Sequence, residues 1–174
     1  MLSKFHVLVS LLSMALTAAA ARDFHNAAHA GWSHPCVGVE ENRDGAPALI
    51  FECHDSGPNL GRQWDVAFST GQNVGPQQIK AYGDKCLQVE RNENTDGARV
   101  QIGVCSPNNP NQQWTAEKVY DKKISSRFRW GTTDKCLDVK DHDVYPFVPL
   151  VISVCSNYHL SQNWADRHPN PDEV

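Results

Sequence analysis

A single motif recurs three times along this chain, at a spacing of about fifty residues. Each copy has one cysteine, a second cysteine less than twenty residues later, a polar loop and then a tryptophan. The copies comprise Cys36, Cys53 and Trp64; Cys86, Cys105 and Trp114; and Cys136, Cys155 and Trp164. A unit of this size cannot bury its own apolar face, so the three copies are expected to share one core.

The apolar pattern within each copy predicts short β-strands. Val100, Ile102 and Val104 alternate with other residues, as do Leu150, Ile152 and Val154. Turn-forming residues separate these runs, and no segment keeps a helical period over ten residues. We therefore predict an all-β fold with about twelve strands, closed into a threefold barrel with the three repeated tryptophans inside.

The ends of the chain read differently from the repeats. Residues 1–21 contain Lys4, an apolar stretch and an alanine-rich end, which is typical of a secretory signal peptide. Residues 22–28 are predicted to be a short N-terminal arm, and residues 167–174 a disordered tail. We therefore expect a secreted, extracellular protein, and the sequence contains no Asn-x-Ser/Thr site for N-glycosylation.

Secretion favours oxidised cysteines, and six cysteines allow fifteen pairings. Equivalent bonds in a threefold repeat should join equivalent positions, which selects Cys36–Cys53, Cys86–Cys105 and Cys136–Cys155. A zinc site is the competing interpretation of the cysteines, but no Cys-x-x-Cys or Cys-x-x-His pair is present. His25 and His29 have helical metal-ligand spacing but no third ligand, so no metal site and no cofactor are predicted.

The charge balance argues against two classes of partner. The chain has a formal net charge of −4, and loss of Lys4 with the leader would make it −5. The one basic run joins Lys122 and Lys123 to Arg127 and Arg129, and is interpreted as a solvated strand and turn. Neither nucleic-acid binding nor membrane insertion is therefore expected. The sequence does not determine the oligomeric state.

The repeated Cys-Leu-x-Val and Gln-x-Trp segments resemble those of the ricin B-type lectin domain, which is a β-trefoil. Residues 86–89 with 112–114, and residues 136–139 with 162–164, fit that pattern well. The first copy fits less well, because Arg62 replaces a glutamine. The resemblance covers residues 29–166, with repeats at about 29–77, 78–126 and 127–166.

The resemblance implies one shallow, galactose-type sugar site for each repeat. An Asp two residues after the first cysteine would accept hydrogen bonds from sugar hydroxyls, and a Gln four residues before the second cysteine would support it. An aromatic residue two before that cysteine would stack on the sugar ring. An Asn before the Gln-x-Trp segment would complete the polar rim, and the Gln of that segment would steady the Asp.

No repeat has this complete set. Repeat three ranks first because a carboxylate is a stronger acceptor than an amide; its candidates are Asp138, Gln162 and Ser161, with Tyr145 or Phe147 as a stacking ring. Repeat two ranks second; its candidates are Gln88, Gln101, Asn111 and Gln112. Repeat one ranks last, since Phe51 has no acceptor beside it. Asp138 is alternatively a solvated acid at a loop edge, and Gln112 and Gln162 alternatively have a purely structural role.

Two functions remain open from the sequence. The first is a non-catalytic, secreted lectin-like protein that binds galactose-type or related glycans or glycoproteins. The second is a degenerate trefoil that acts through protein contact, as an inhibitor or effector, because function resides in the loops and not in the fold. No Gly-x-Ser-x-Gly or His-Glu-x-x-His motif is present, so no catalytic residues are assigned and the chain is not expected to be an enzyme.

Overall fold

A computed structural model describes residues 22–27, 35–53, 60–119 and 125–166 of the chain. Several sequence-based predictions lie outside the described residues: the leader at 1–21, the tail at 167–174, His29, Lys122 and Lys123.

Short strands make up most of the described chain. The strands are β1 (Arg22–Asp23), β2 (His25–Asn26), β3 (Pro35–Gly38), β4 (Leu49–Glu52), β5 (Gln63–Asp65), β6 (Val74–Gln77), β7 (Lys80–Ala81), β8 (Lys85–Val89), β9 (Val100–Val104), β10 (Trp114–Lys118), β11 (Ser126–Trp130), β12 (Lys135–Val139), β13 (Leu150–Val154) and β14 (Trp164–Ala165). Single 3-10 turns lie at Leu60–Arg62, Glu90–Asn92, Pro110–Gln112, Lys140–His142 and Leu160–Gln162. No helix in the described ranges is long and apolar enough to cross a bilayer.

Three equivalent antiparallel hairpins form the centre of the fold: β3–β4, β8–β9 and β12–β13. Isolated bridges join each hairpin to the next around a ring, at Pro47 with Gln101, Arg99 with Val151, and Leu49 with Pro149. The ring of three hairpins confirms the predicted all-β, threefold β-trefoil architecture. Closing the ring pairs the strand edges that would otherwise be open to solvent.

The three repeated tryptophans lie in the core, as the spacing predicts. Trp64, Trp114 and Trp164 have no solvent-exposed surface. Each indole N–H donates to a backbone carbonyl twenty-seven residues earlier, at 2.9 Å to Val37, 3.0 Å to Leu87 and 3.2 Å to Leu137. A buried indole N–H needs such a partner, so each tryptophan both fills the core and fixes the strand that begins its repeat.

The predicted disulfide pairing is confirmed. Cys36–Cys53, Cys86–Cys105 and Cys136–Cys155 are bonded, with Cα–Cα distances of 5.4, 4.9 and 5.0 Å. Each bond links the two strands of one hairpin close to its open end, because Cys36 faces Phe51, Cys86 faces Gly103 and Cys136 faces Ser153 in the strand register. Each repeat is therefore closed by its own covalent link.

Residues 22–27, most of the segment predicted to be an N-terminal arm, form two short strands inside the fold. Strand β1 pairs with β5, and β2 pairs with both β14 and β3, so this segment joins the first repeat to the last. Phe24 between them is fully buried, and its ring meets Trp164 edge-on at 5.1 Å and Phe128 at 5.2 Å. Two strands of two residues show no readable periodicity, which is why the sequence did not reveal this role.

Equivalent salt bridges join repeat one to repeat two and repeat two to repeat three, and the described residues form no third one of this kind. Lys85 Nζ lies 2.9 Å from Asp44 Oδ1, and Lys135 Nζ lies 2.8 Å from Asp96 Oδ1. Both aspartates precede a glycine with positive φ, at Gly45 and Gly97. The third turn has Phe147 instead, with φ of 67°, and its backbone N–H bonds to Ile50 O of repeat one. The loop of repeat three therefore departs from the threefold pattern.

Candidate functional site

The strand register brings together the residues at the predicted site position of each repeat. The residue two after the first cysteine faces the residue four before the second, so that Gly38 faces Leu49, Gln88 faces Gln101 and Asp138 faces Val151. The three positions are equivalent in the backbone, and their side chains decide what each can bind.

In repeat one, aromatic and basic side chains fill this position. The Phe51 ring lies over Gly38 so closely that a Cβ there would be 2.6 Å from Phe51 Cδ2. The Arg62 guanidinium lies 5.1 Å from the ring centroid, and its Nη1 donates to Glu52 O at 2.8 Å. Phe51 is buried beneath these contacts, and Gly38, Phe51 and Arg62 provide no side-chain hydrogen-bond acceptor at this position.

In repeat two, the Gln88 side chain occupies the place of the missing aromatic residue. A Cβ on Gly103 would lie 2.5 Å from Gln88 Nε2. Gln88 Oε1 accepts from Gln112 Nε2 at 2.9 Å, and Gln101 lies opposite, half-buried. Asn111 is also half-buried, and its Oδ1 has no hydrogen-bond partner among the described residues. The four candidate residues of repeat two therefore lie close to one another on a filled surface.

The glutamine of each Gln-x-Trp segment in repeats two and three has an equivalent set of bonds. Gln112 Nε2 donates to Val104 O at 2.9 Å as well as to Gln88, and Oε1 accepts from the backbone N–H of Ser106 at 2.8 Å. Gln162 Nε2 donates to Asp138 Oδ2 at 2.9 Å and to Val154 O at 3.0 Å. Both glutamines are fully buried, so they support the site from below.

In repeat three, Asp138 is fully buried. Its Oδ1 accepts from the Val139 backbone N–H at 2.7 Å, and its Oδ2 accepts from Gln162 at 2.9 Å. The interpretation of Asp138 as a solvated loop-edge acid is therefore wrong. A carboxylate taken out of water needs such partners, and here they come from two separate elements of the fold.

His142 separates Asp138 from solvent. Its Nδ1 lies 3.2 Å from Asp138 Oδ2 and 2.9 Å from Ser161 Oγ, while the imidazole is 45% exposed. The backbone at His142 has φ of 60°, in the left-handed region that residues other than glycine adopt infrequently. The equivalent Asn92 of repeat two has φ of 58°, so the conformation belongs to the repeat, and the imidazole is what repeat three adds to it.

A second imidazole lies against the first. The ring centroids of His142 and His159 are 4.0 Å apart, with an angle of 51° between the ring planes. His159 Nδ1 is buried and has no hydrogen-bond partner among the described residues. Asp138, His142 and His159 each present a potential ligand atom, and these atoms lie within 4.8 Å of one another.

An open cleft of about 380 Å³ lies beside these groups. We call it the repeat-three cleft; its walls are formed by Asp96, Gly97, Lys140, Asp141, His142, Val151, Ser153, Val154 and His159. The cleft covers the predicted sugar position of repeat three, because Val151 and Ser153 occupy the Gln and aromatic positions of the pattern. Two of these lining residues come from outside repeat three, Asp96 and Gly97, which lie in a turn of repeat two.

Asp96 brings negative charge to the cleft. Its hydrogen bond from Lys135 lowers the pKa of the Asp96 carboxyl below the usual 3.8, with a smaller contribution from the Val154 N–H and against the effect of desolvation. The carboxylate is therefore ionised at neutral pH. The side chain is 60% exposed, which leaves surface for further hydrogen bonds.

The predicted stacking residues lie outside the lining of the cleft. Phe147 is 64% exposed and its ring meets Phe51 of repeat one edge-on, at 5.5 Å between centroids. Tyr145 is 66% exposed and Tyr158 92% exposed. The loop that carries Tyr145 and Phe147 crosses towards repeat one, because Ile50 N–H bonds to Val148 O and Phe147 N–H bonds to Ile50 O.

The structure brings together three of the predicted site residues, Asp138, Ser161 and Gln162. The prediction did not include the two histidines that face the cleft. His142 and His159 were not among the predicted site residues. Two signals in the sequence point to them: His142 follows Asp138 by four residues, and His159 stands where repeat two has Asn109. Asp96 comes from another repeat, so no pattern within repeat three reveals it.

The comparisons with known proteins agree with this architecture. Residues 27–164 match the family model of the ricin-type beta-trefoil lectin domain. No curated protein sequence matches the chain.

Solved structures with a similar fold include a designed threefold-symmetric protein, ThreeFoil, with a TM-score of 0.67, 20% identity, and coverage of 83% of this chain and 95% of that one. The Macrolepiota procera ricin B-like lectin in complex with lactose has a TM-score of 0.62 and 16% identity, and the match covers 87% of this chain and 96% of that one. The C-half of the earthworm R-type lectin in complex with GalNAc has a TM-score of 0.56 and 10% identity, with coverage of 83% and 95%. At these identities the likeness shows the fold.

Proposed function

This chain belongs to the ricin-type β-trefoil lectin domain family, and from that premise we propose that it is a secreted, non-catalytic protein that binds a galactose-type glycan in the repeat-three cleft. The observation that carries the proposal is the position of the cleft. It lies over the Val151 and Ser153 positions, where the family pattern places sugar contacts, while the same positions of repeats one and two are filled by side chains.

The lining of the cleft suits a sugar. Ser153 and the Asp96 carboxylate offer hydrogen-bonding partners for hydroxyl groups, and the Lys140 ammonium offers a donor. The imidazoles of His142 and His159 supply flat surface as well as ring nitrogens, and Val154 supplies an apolar edge. Directional polar groups around a small apolar surface are the usual composition of a site for a small polar ligand.

The mode of binding differs from the one implied by the family pattern. Asp138 does not reach the cleft, because His142 covers it and all of its surface is buried. In our proposal Asp138 holds His142 in place, and the exposed residues of the cleft contact the sugar. Direct contact between sugar and Asp138 would require His142 to move away.

The choice of galactose-type sugars is supported by the fold neighbours, of which one is a complex with lactose and another a complex with GalNAc. The absence of catalysis and the secretion are likewise proposals. They are supported by the family and by the signal-peptide pattern of residues 1–21.

A second function, binding to another protein, is favoured by one observation. Tyr145, Phe147, Tyr158 and Leu160 are large apolar or aromatic side chains that are at least half exposed. Aromatic residues on a surface are common at protein interfaces. The two functions predict different effects of a blocking substitution. A substitution in the repeat-three cleft should block glycan binding, whereas one among these exposed side chains should block protein binding.

The test is a glycan array with the mature chain, followed by titration of the best ligand. The threefold pattern offers a matched pair of blocking variants: Val154 lines the cleft and is 46% exposed, and Val104 is its equivalent in repeat two and is 56% exposed. We expect Val154→Arg to weaken glycan binding at least tenfold and Val104→Arg to leave it unchanged. Equal affinities for the two variants, or no glycan bound by the parent chain, would exclude the proposal.

A further inference from the structure

The cluster of Asp138, His142 and His159 has a chemistry beyond sugar recognition. We infer that these three side chains bind one divalent transition-metal ion of the zinc type at the inner end of the repeat-three cleft. Their potential ligand atoms lie within 4.8 Å of one another. The inference concerns metal binding alone and does not depend on the proposed glycan function.

The distances are close to those that a metal requires. Four ligands about 2.1 Å from a tetrahedral zinc ion lie roughly 3.4 Å from one another. His142 Nδ1 is already 3.2 Å from Asp138 Oδ2. Since all three ligand atoms lie within 4.8 Å of one another, the spacings to His159 exceed the value for bound zinc by at most about 1.4 Å.

His159 has a nitrogen without another role in the described structure. Its Nδ1 is buried and has no hydrogen-bond partner among the described residues. In repeat two the equivalent residue, Asn109, caps the 3-10 turn by accepting from the Asn111 N–H at 3.0 Å. His159 makes no such capping bond, and its ring lies against His142 instead. A buried, unpaired imidazole nitrogen beside a second imidazole and a carboxylate is the arrangement that a metal ion would satisfy.

Outer contacts hold the carboxylate in place. Asp138 Oδ1 accepts from the Val139 N–H and Oδ2 accepts from Gln162 Nε2. Such second contacts orient metal ligands and raise metal affinity. Ser161 Oγ lies 2.9 Å from His142 Nδ1, so a metal ion would replace Ser161 as the partner of this nitrogen. The buried negative charge of Asp138 also favours a cation above any neutral ligand.

The ligand types decide which ion is expected. Two imidazoles with one carboxylate suit Zn²⁺ and its transition-metal neighbours, whereas Ca²⁺ and Mg²⁺ prefer sites built from oxygen ligands alone. The open side of the site faces the cleft, so water completes the coordination. His25 lies close to Cys36 and Cys53 in a second group of possible ligands, but both sulfurs are joined in a disulfide and do not bind metal as thiolates.

Isothermal titration of the tag-free mature chain with ZnCl₂ tests this inference, with CaCl₂ and MgCl₂ as competing cations. His142→Asn and His159→Asn place the repeat-two residues Asn92 and Asn109 at the equivalent positions, so both variants keep side chains that the fold already accommodates. His168→Asn is the matched control for a histidine elsewhere in the chain. Circular dichroism and thermal melting without metal establish that each variant is folded.

We expect one zinc ion per chain at this site, at least about tenfold weaker binding in His142→Asn and in His159→Asn, and unchanged binding in His168→Asn. The expected factor is the minimum that loss of an outer contact of a metal ligand causes, and loss of a ligand itself should exceed it. At the same zinc concentration, the rise in melting temperature should be larger for the parent chain than for either variant. The inference would be overturned if the parent chain bound no zinc, or if both folded variants bound zinc with the same affinity as the parent.

Discussion

His142 covers Asp138, with its Nδ1 3.2 Å from the carboxylate Oδ2 and its imidazole 45% exposed. The residue that the family pattern places in contact with a sugar is therefore an internal support in this chain. The imidazole of His142, which Asp138 holds in position, faces the cleft instead of the Asp138 carboxyl group. This relationship links two properties of repeat three: a fully buried carboxyl group and an open cleft.

Replacement of Asp138 should reduce stability before it affects any ligand. Asp138→Ala leaves the Val139 N–H and Gln162 Nε2 without their buried acceptor, and we expect a loss of about 2–4 kcal/mol. Asp138→Asn keeps one acceptor oxygen, as Gln88 does in repeat two, and should cost about half as much. Urea unfolding measures both. Asp143→Ala, an exposed acid on the same loop, is the control and should change stability by less than about 0.5 kcal/mol.

The two neighbouring glutamines of repeat two should differ sharply in their importance. Gln112 is fully buried, and its amide bonds to the Ser106 N–H, to Val104 O and to two other glutamine side chains. Gln113 is half-buried and bonds through Nε2 to Pro107 O at 3.1 Å. We expect Gln112→Ala to cost about 2–4 kcal/mol in urea unfolding and Gln113→Ala less than about 1 kcal/mol. Similar losses would show that the buried bonds of Gln112 contribute little.

Most of the fold that the sequence predicted came from the regularly spaced cysteines and tryptophans. Equal spacing of cysteines and tryptophans predicted the threefold core and the disulfide pairing, because every copy must satisfy the same geometry. The exceptions lie where the copies differ. Phe24 enters the core from two-residue strands that have no periodicity. The positive φ of His142 is shared by Asn92 of repeat two, but repeat three alone of these two places an imidazole there, beside Asp138. Phe147 faces repeat one because its loop bonds to Ile50, a long-range contact that local sequence does not encode.

Phe147 occupies a backbone position that repeats one and two give to glycine. Its φ of 67° compares with 80° at Gly45 and 82° at Gly97. Phe147→Ala and Phe147→Gly both remove the edge contact with Phe51, but only glycine adopts this φ without strain. We therefore expect the glycine variant to be more stable than the alanine variant by about 1 kcal/mol in thermal or urea unfolding.

Gly97 provides the matched control for this strain. A Cβ there meets nothing within 4 Å, so Gly97→Ala should lose a similar 1 kcal/mol through backbone conformation alone. If alanine were as stable as glycine at both positions, positive φ would not be the cause of the difference at Phe147.

The pair of arginines around Glu117 should make part of the stability depend on pH. Burial disfavours the charged carboxylate, but hydrogen bonds and charge attraction from Arg129 and Arg127 outweigh it, so the pKa of Glu117 lies below the usual 4.5. Arg129 Nε lies 2.5 Å from Glu117 Oε1, and Arg127 Nη2 lies 3.1 Å from Oε2. A carboxyl group whose pKa is lowered by folding stabilises the fold above its unfolded pKa, and this contribution disappears as the pH falls through the folded pKa.

Glu117→Gln should therefore be less stable than the parent at pH 7 by about 2 kcal/mol, and this gap in unfolding free energy should narrow as the pH falls below 4.5. Urea unfolding from pH 7 to pH 3 measures the gap, and the exposed Glu93→Gln should show none at any pH. A gap for Glu117→Gln that stays constant over this range would mean that lost packing, and not the charge on Glu117, accounts for the destabilisation.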